Sequence, residues 1–334
     1  MRAADFLSTH RPFVPRRWLG SGHAMTVFAW ARTRAFPELP EPEARVIRVS
    51  PDTQVMARCF WQPSRARVPT LLALHGLEGS SEAHYMRGLA AKAWKRGWNA
   101  ILLNQRNCGG TEHLTPGLYH SGLTEDPKAA IRAFAHDDGL NAIGVVGYSL
   151  GGNLTVKLAA ELAGARDLPV VGATAISPTI DLELCVRAIE RPANIVYQFN
   201  FVRNLKARMR RKATLWPALY DVRALRSIWT IRQFDEIYTA PSNGFRGATD
   251  YYHRASAARS VDRIRIPTLI LTAQDDPFVP VSQFLEPAVR ANPSIAVCIE
   301  RNGGHCGFAA TAADDDGYWA ETTAVNFLAS VMPR

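Results

Sequence analysis

The sequence predicts an α/β fold with a mostly parallel sheet of eight strands and helices on both faces. Apolar runs typical of buried strands alternate with helical patterns, which is the order that a parallel α/β sheet requires. A serine also stands at a sharp turn between a strand and a helix, within residues 147–151. The alternation is interrupted between residues 177 and 267, where no convincing strand is found. This interruption predicts an insertion in the fold.

The predicted elements follow one another in the order that this fold needs. Strands are expected at residues 45–49, 55–61, 70–74, 99–103, 142–147, 169–176, 266–272 and 295–299. Helices are expected at residues 83–97, 127–138, 150–164, 282–292 and 317–331. We expect three parts: a lead at 1–40 that packs on the core, the core at 41–178 and 255–334, and a helical cap at 179–254.

Residues 147–151 read Gly-Tyr-Ser-Leu-Gly, with an apolar run before them and a helix-like stretch after them. The five-residue pattern alone is common, but its position between a strand and a helix has a physical meaning. A nucleophile on a tight turn needs neighbours without bulky side chains, and the helix N-terminus offers backbone N–H groups to a developing oxyanion. Ser149 is therefore the predicted nucleophile.

A serine hydroxyl needs a base to remove its proton, and enzymes of this architecture supply the partners in the order Ser, Asp or Glu, then His. Only His253 and His305 follow Ser149, and only His305 also follows the best acidic candidate. That candidate is Asp276, in the loop after a predicted strand, while Asp275 is expected to cap or orient this loop. The alternative interpretation makes both aspartates turn formers.

The sequence HGLEG at residues 75–79 directly follows another predicted strand. Such folds build the second half of an oxyanion hole at this position. We expect the backbone N–H groups of Leu77 and Leu150 to bind the tetrahedral oxygen. His75 precedes the serine, so it is expected to support the loop by a hydrogen bond. Glu78 is expected to be a loop or helix-start residue and not a general base.

The composition is that of a single globular domain elaborated by an insertion. The chain has 334 residues, of which 47% are hydrophobic, enough to bury a sizeable core. Its five cysteines show neither CxxC pairs nor the density of a disulfide scaffold, which indicates a reducing cytoplasm. No metal or cofactor is expected, and no run approaches the roughly 20 apolar residues that a transmembrane helix needs.

The formal net charge is +9, and much of it comes from one short segment at residues 203–212. Its basic residues are Arg203, Lys206, Arg208, Arg210, Arg211 and Lys212. One interpretation is peripheral contact with an anionic membrane surface through this segment. The other is a solvated helix face. Nucleic-acid binding is not expected, because no recognition module accompanies the basic run.

Seven motifs in a fixed order cover nearly the whole chain. They are HGLEGSSEAHYMRGLA (75–90), NQRNCGG (104–110), YHSGLTED (119–126), GYSLGGN (147–153), TDYYHRASA (249–257), LTAQDDPFVP (271–280) and NGGHCGF (302–308). With these motifs the sequence resembles the YheT-like α/β-hydrolases, which include bacterial proteins named as esterases and related animal abhydrolase-domain proteins. The resemblance implies the α/β-hydrolase fold, with Ser149 as nucleophile, Asp276 as acid and His305 as base. One departure is Asn107, which stands where the family often has glycine.

The expected function is hydrolysis of carboxylic esters through an acyl-enzyme with a Ser-His-Asp triad. The family resemblance implies a small-molecule ester with a short to medium acyl chain, including glycerolipids, as substrate. Two alternatives stay open: an acyltransferase that uses the same acyl-enzyme, and a non-catalytic binding protein with this fold. Cys306, next to His305, is either a small apolar residue or a thiol whose modification blocks the site.

Overall fold

The computed structural model describes residues 3–8, 10–163, 167–311 and 316–332. Within these residues, one sheet contains eight strands: β1 Glu43–Ser50, β2 Thr53–Phe60, β3 Thr70–Leu74, β4 Asn99–Leu103, β5 Ile143–Tyr148, β6 Val170–Ile176, β7 Thr268–Ala273 and β8 Ile295–Glu300. Their spatial order is β1-β2-β4-β3-β5-β6-β7-β8. β2 pairs antiparallel with β1 and β4, and the remaining pairs are parallel. The predicted mostly parallel sheet is confirmed.

The central strands are buried along their whole length. Every residue of β3, β4, β5 and β7 is buried, and these strands consist largely of apolar residues in continuous runs. Such runs are typical of parallel strands, because helices cover both faces of the sheet. The carboxyl ends of these parallel strands all lie at one edge of the sheet, so the loops that leave them are neighbours.

Helices surround the sheet and fill the interval between β6 and β7. The α-helices of the described residues are α1 Ala3–Leu7, α2 Gly22–Ala31, α3 His84–Lys95, α4 Glu125–Asp138, α5 Leu150–Glu161, α6 Leu182–Ile189, α7 Ile195–Leu215, α8 Ile231–Phe234, α9 Ala240–Ser242, α10 Ala248–Ala255, α11 Pro287–Arg290 and α12 Trp319–Val331. Five of them, α6 to α10, lie between β6 and β7, which confirms a helical cap inserted after the sixth strand. We define this cap as α6 to α10 with their connections.

Two predicted helices differ from the structure at particular residues. The single helix expected at 282–292 is wrong: a 3-10 turn at Val281–Phe284 and the short α11 replace it. The reason is Pro287, which disfavours a helical conformation at the residue before it, and Glu286 accordingly has φ −57° and ψ 138°. The helix expected at 150–164 ends at Glu161, and Gly164 lies outside the described residues.

The lead before β1 packs on α12 through aromatic side chains. The Phe6 ring lies 5.3 Å from that of Phe327, and the Phe13 ring lies 5.4 Å from that of Trp319. The indole of Trp319 also donates a hydrogen bond to the carbonyl of Arg11, at 2.8 Å. These contacts with α12 hold the lead so that α2 reaches the loops at the carboxyl edge of the sheet.

Among the helices of the described segments, none combines the length with the apolar character that a bilayer crossing demands. The segments expected for the lead and the core include residues 1, 2, 9, 164–166, 312–315, 333 and 334, which lie outside the described residues.

Candidate active site

Ser149 lies at the sharp turn between β5 and α5 in a strained backbone conformation. Its φ of 53° and ψ of −115° are rare for a residue with a side chain. A Cβ atom at Gly147 would lie 2.1 Å from the carbonyl oxygen of Gly151, and one at Gly151 would lie 2.3 Å from that of Leu74. The two glycines therefore make the close turn possible. The N–H of Ser149 donates to the carbonyl of Ile176 at 2.9 Å, which helps to hold the strained residue.

The structure brings Ser149, His305 and Asp276 into one hydrogen-bonded chain. His305 Nε2 lies 2.9 Å from Ser149 Oγ, and His305 Nδ1 lies 2.9 Å from Asp276 Oδ2. The Asp276 side chain is completely buried. Its other oxygen, Oδ1, accepts the backbone N–H groups of Phe278 and Val279 at 3.1 and 2.9 Å. The carboxylate is thus held with Oδ2 directed at the imidazole.

Asp275 has a different position from its neighbour. Its Oδ1 accepts the N–H of Gly304 at 2.9 Å, and its Oδ2 accepts the side-chain amide of Asn302 at 3.2 Å. Both donors belong to the loop that carries His305. Asp275 therefore binds the loop that carries His305, whereas the sequence analysis assigned it to its own loop, and Asp276 is the carboxylate that contacts the imidazole.

The His305 loop is also held by Thr26 of the N-terminal lead, a residue outside the predicted site. Thr26 in α2 accepts the backbone N–H of His305 at 2.8 Å, and its own hydroxyl donates to the carbonyl of Gly22. Nothing in the pattern around Thr26 indicates this contact, because the partners are 279 residues apart. Cys306 follows with φ 59° and donates its N–H to Ser177 Oγ at 3.1 Å.

The loop at residues 75–79 lies against the serine with most of its N–H groups occupied. Gly76 donates its N–H to the hydroxyl of Tyr85 at 3.2 Å, and Glu78 donates its N–H to the hydroxyl of Tyr119 at 3.1 Å. Within the described part of the chain, the N–H of Leu77 between them has no acceptor. It is therefore available to a bound group.

Leu150 is the first residue of α5, where backbone N–H groups have no intrahelical partner and the helix dipole favours negative charge. The two predicted donors belong to loops that touch. A Cβ atom at Gly76 would lie 3.3 Å from the Cβ of Ser149. The arrangement can therefore place two backbone donors beside an oxygen that develops charge next to Ser149.

His75 has the loop-supporting hydrogen bonds that its position predicts. Its Nδ1–H donates to the carbonyl of Gly76 at 2.8 Å, and its Nε2 accepts the N–H of Gln105 at 3.1 Å. The side chain is completely buried, and this burial lowers the pKa of His75 to about 4. A neutral imidazole with both nitrogens occupied is suited to fixing the loop.

The pKa of His305 is shifted by opposing effects. Burial lowers it, but the Cys306 sulfur and the Asp276 carboxylate raise it more strongly, so that the pKa lies above its ordinary value. A carboxylate at 2.9 Å stabilises the protonated imidazole. This is the electrostatic requirement for a group that receives a proton from a serine.

The basic segment at residues 203–212 lies in α7 and is not a uniformly solvated face. Arg208 and Lys212 are buried, and Lys212 donates to the carbonyls of Glu112, at 3.0 Å, and Thr115. The expectation of a wholly solvated face is therefore wrong for these two residues. The Lys212 side chain connects the cap to the loop after β4, and the Arg208 side chain connects it to Glu78 in the loop after β3.

One group of potential metal ligands occurs in the described residues. His10, Cys298 and Glu300 place one ligand atom each within 4.8 Å of one another. The Cys298 thiol already donates to Glu300 at 3.4 Å, and His10 Nδ1 donates to the carbonyl of Leu7 at 2.7 Å. The group contains none of the residues that form the Ser149 site, and its polar atoms have partners within the protein.

The chain is similar to known proteins over most of its length. Residues 69–310 match a family model described as the alpha/beta hydrolase fold. The YheT protein of Escherichia coli is 31% identical over 98% of this chain and 96% of its own length. A Saccharomyces cerevisiae protein named monoacylglycerol lipase is 29% identical over 72% of this chain and 55% of its own length.

A solved structure shares the fold at low sequence identity. The esterase Pf2001 of Pyrococcus furiosus superposes with a TM-score of 0.56 and is 16% identical, covering 97% of this chain and all of that one. This similarity concerns the arrangement of strands and helices.

Proposed function

The chain belongs to the alpha/beta hydrolase fold family, among its YheT-like members, and from this premise we propose that it is a serine hydrolase of carboxylic esters. The observation that carries the proposal is the hydrogen-bonded chain from Ser149 through His305 to Asp276, with 2.9 Å at each contact. A serine on a strained turn, a base within reach and a buried carboxylate behind that base are the parts that acyl transfer needs.

In the proposed mechanism, Ser149 Oγ attacks the ester carbonyl while His305 Nε2 accepts its proton. His305 then returns this proton to the departing alcohol, which leaves an acyl group on Ser149. Asp276 accepts the Nδ1–H of His305, so it selects the reactive tautomer and stabilises the imidazolium. A water molecule repeats the cycle and releases the acid.

The backbone N–H groups of Leu77 and Leu150 are the proposed oxyanion donors. Each such donor is worth about 3–4 kcal/mol in comparable sites. Support comes from the N–H of Leu77, which has no acceptor in the described part of the chain while its neighbours at Gly76 and Glu78 are occupied. Support for Leu150 comes from its place at the start of α5.

We propose that residues 179–254 form the unit that selects the substrate, an ester with a short to medium acyl chain, glycerolipids included. Aromatic rings of this unit pack on Phe278, which lies in the loop after β7 and whose ring is 4.1 Å from that of His305. Tyr197 and Phe201 in α7 contact Phe278 at 5.4 and 6.1 Å. These apolar surfaces favour an acyl chain, and a relative named monoacylglycerol lipase supports a lipid ester.

A cytoplasmic location with peripheral contact to an anionic membrane through residues 203–212 is also proposed. The five cysteines are free thiols, the state that a reducing compartment maintains. No acidic residue occurs between Glu190 and Asp221, so negative lipid headgroups meet no like charge in α7. Arg203 and Arg210 remain exposed for such contact. Three apolar side chains near the start of the same helix are also 61–73% exposed: Ile195, Val196 and Phe199.

The membrane contact is tested by co-sedimentation with vesicles of neutral or anionic lipid at low and high salt. Binding to anionic vesicles that weakens with salt is expected, because exposed charges are screened. Replacing Arg203 and Arg210 by glutamine should reduce this binding. Equal binding to both vesicle types, unaffected by salt, would remove the proposal.

The hydrolase proposal is tested by labelling the purified protein with a fluorophosphonate probe. Ser149→Ala should abolish labelling and lower turnover by about 10⁵- to 10⁶-fold, as for triad nucleophiles generally. Ser227→Ala, at an exposed serine in the cap, is the matched control and should leave both unchanged. A Ser149→Ala protein that keeps most of its esterase activity would exclude the mechanism.

A screen of ester chain lengths then measures the acyl pocket. Adding an alcohol acceptor distinguishes hydrolysis from acyl transfer, since a transferase forms a new ester in proportion to the acceptor.

A further inference from the structure

Glu78 and Arg208 form a buried ion pair between the loop at residues 75–79 and the cap. We infer that this pair, together with Tyr119, is a positioning device that fixes the oxyanion donor Leu77 and makes its placement depend on the cap. The inference rests on the proposed function, since it assigns a role to residues that do not themselves touch the reacting atoms.

Glu78 is held by contacts to both its carboxylate and its backbone N–H. Arg208 Nη2 lies 2.9 Å from Glu78 Oε1, and both side chains are more than nine-tenths buried. The hydroxyl of Tyr119 donates to the same Oε1 at 3.0 Å and accepts the backbone N–H of Glu78 at 3.1 Å. Glu78 has φ 57°, a conformation that a side-chain-bearing residue adopts only when its surroundings hold it.

Arg208 reaches this loop from α7, the longest helix of the cap. Its guanidinium lies 4.6 Å from the centre of the Tyr119 ring, so Tyr119 contacts both members of the pair. One turn further along α7, Lys212 is bound to the carbonyl of Glu112. α7 is therefore anchored on the core at this point, and the anchor includes the loop that contains Leu77.

A buried ion pair is a costly way to stabilise a fold. Removing two charges from water costs about as much as their attraction returns, and apolar side chains of similar volume are often as stable. The pair between Glu78 and Arg208 therefore calls for a reason other than stability. The reason that we infer is positioning. The ion pair is directional, and its acceptor, Glu78, is the residue next to Leu77.

The link to catalysis is the peptide N–H of Leu77. The N–H groups on either side of it are bound, that of Gly76 to Tyr85 and that of Glu78 to Tyr119. With both neighbours fixed, the peptide between them has little freedom to rotate, and its N–H keeps one direction. A donor displaced by about 1 Å can cost about 10²-fold in rate. Release of Glu78 is expected to permit such a displacement.

The first test is Tyr119→Phe, which keeps the ring beside Arg208 and removes the hydroxyl that binds Glu78. We expect kcat for a soluble ester to fall about 10- to 100-fold with KM almost unchanged, because the lost interaction serves the transition state. Affinity for a boronic acid that mimics the tetrahedral intermediate should fall in parallel. The pH profile should not move, since His305 and Asp276 are untouched.

The second test separates positioning from stability. The double variant Glu78→Gln with Arg208→Met removes both charges together, so no uncompensated charge stays buried and the protein should fold. We expect its unfolding temperature near that of the wild type, with kcat and boronic acid affinity lowered as in Tyr119→Phe. Arg45→Gln is the control, because it removes an ion pair between Arg45 in β1 and Asp138 in α4, outside both the cap and the Leu77 loop.

If Tyr119→Phe and the double variant both keep kcat and boronic acid affinity within about two-fold of the wild type, the pair has no positioning role. This outcome is separate from failure of the proposed function, in which the wild-type protein itself shows neither esterase activity nor fluorophosphonate labelling.

Discussion

Asp276→Asn changes one buried oxygen into an amide nitrogen and tests the role proposed for the carboxylate. The side chain is completely buried and has two distinct acceptor atoms. Oδ2 faces His305 Nδ1 at 2.9 Å, and Oδ1 accepts the N–H groups of Phe278 and Val279. The substitution keeps the shape of the side chain, so the fold should persist.

The structure determines which way the asparagine amide will point. Its oxygen must occupy the Oδ1 position, because the N–H groups of Phe278 and Val279 need an acceptor. Reversing the amide would leave two buried donors facing a third, at a cost of about 1–3 kcal/mol for each lost hydrogen bond. The NH₂ group therefore occupies the Oδ2 position and donates to His305 Nδ1.

This orientation imposes the wrong tautomer on His305. When Nδ1 accepts a hydrogen bond, the ring proton lies on Nε2, which then points a donor at Ser149 Oγ and cannot remove its proton. The same substitution in the Ser-His-Asp triad of a serine protease lowers turnover about 10⁴-fold. At 1.36 kcal/mol for each factor of ten, this corresponds to about 5 kcal/mol of transition-state stabilisation.

The assay compares initial rates on a soluble ester and the rate of fluorophosphonate labelling for Asp276→Asn and Asp275→Asn. We expect a loss near 10⁴-fold for the first variant. For the second we expect a loss below about ten-fold, because Asp275 bonds the loop and not the imidazole. Circular dichroism checks that both are folded. An Asp276→Asn enzyme that keeps more than about a tenth of wild-type kcat would refute the tautomer mechanism.

Two further predictions concern protonation and packing. Turnover should rise with pH as neutral His305 forms, with a midpoint above the ordinary value of about 6.5, because the effects of Cys306 and Asp276 on the pKa of His305 exceed that of burial. A midpoint at or below about 6.5 would contradict this direction. Gly151→Ala should lower the free energy of unfolding by about 1–3 kcal/mol or more, because its Cβ would meet the Leu74 carbonyl at 2.3 Å. Gly20→Ala is the matched control for thermal unfolding, since no atom lies within 4 Å of its new Cβ, and equal stability of the two variants would speak against a close turn.

The strands could be predicted well because a strand that is buried on both faces is a continuous apolar run in the sequence. β3, β4, β5 and β7 are apolar along their whole length, so their limits follow from the residues themselves. The helix expected at 282–292 was wrong for a reason equally local, the effect of Pro287 on Glu286. The basic segment of α7 was harder, because its helical pattern alone does not tell which cations face the core.

The residues of the proposed triad show where prediction from sequence ends. The order of Ser149, Asp276 and His305 along the chain is a family rule that a sequence can satisfy or fail. His305 and Ser149 are 156 residues apart in the sequence, so the distance between their side chains depends on how the chain packs. The same holds for the division of work between Asp275 and Asp276, since adjacent aspartates have the same local propensity.

The contacts of residues outside these motifs could be found only from the tertiary structure. Thr26 meets His305 across 279 residues, and Arg208 meets Glu78 from a helix that sequence describes only as basic. Periodicity and turn chemistry are properties of neighbours along the chain, so they specify strands, helices and the turn at Ser149. Hydrogen bonds between distant side chains form only after the sheet and cap have packed, and this packing decides which polar groups share a site.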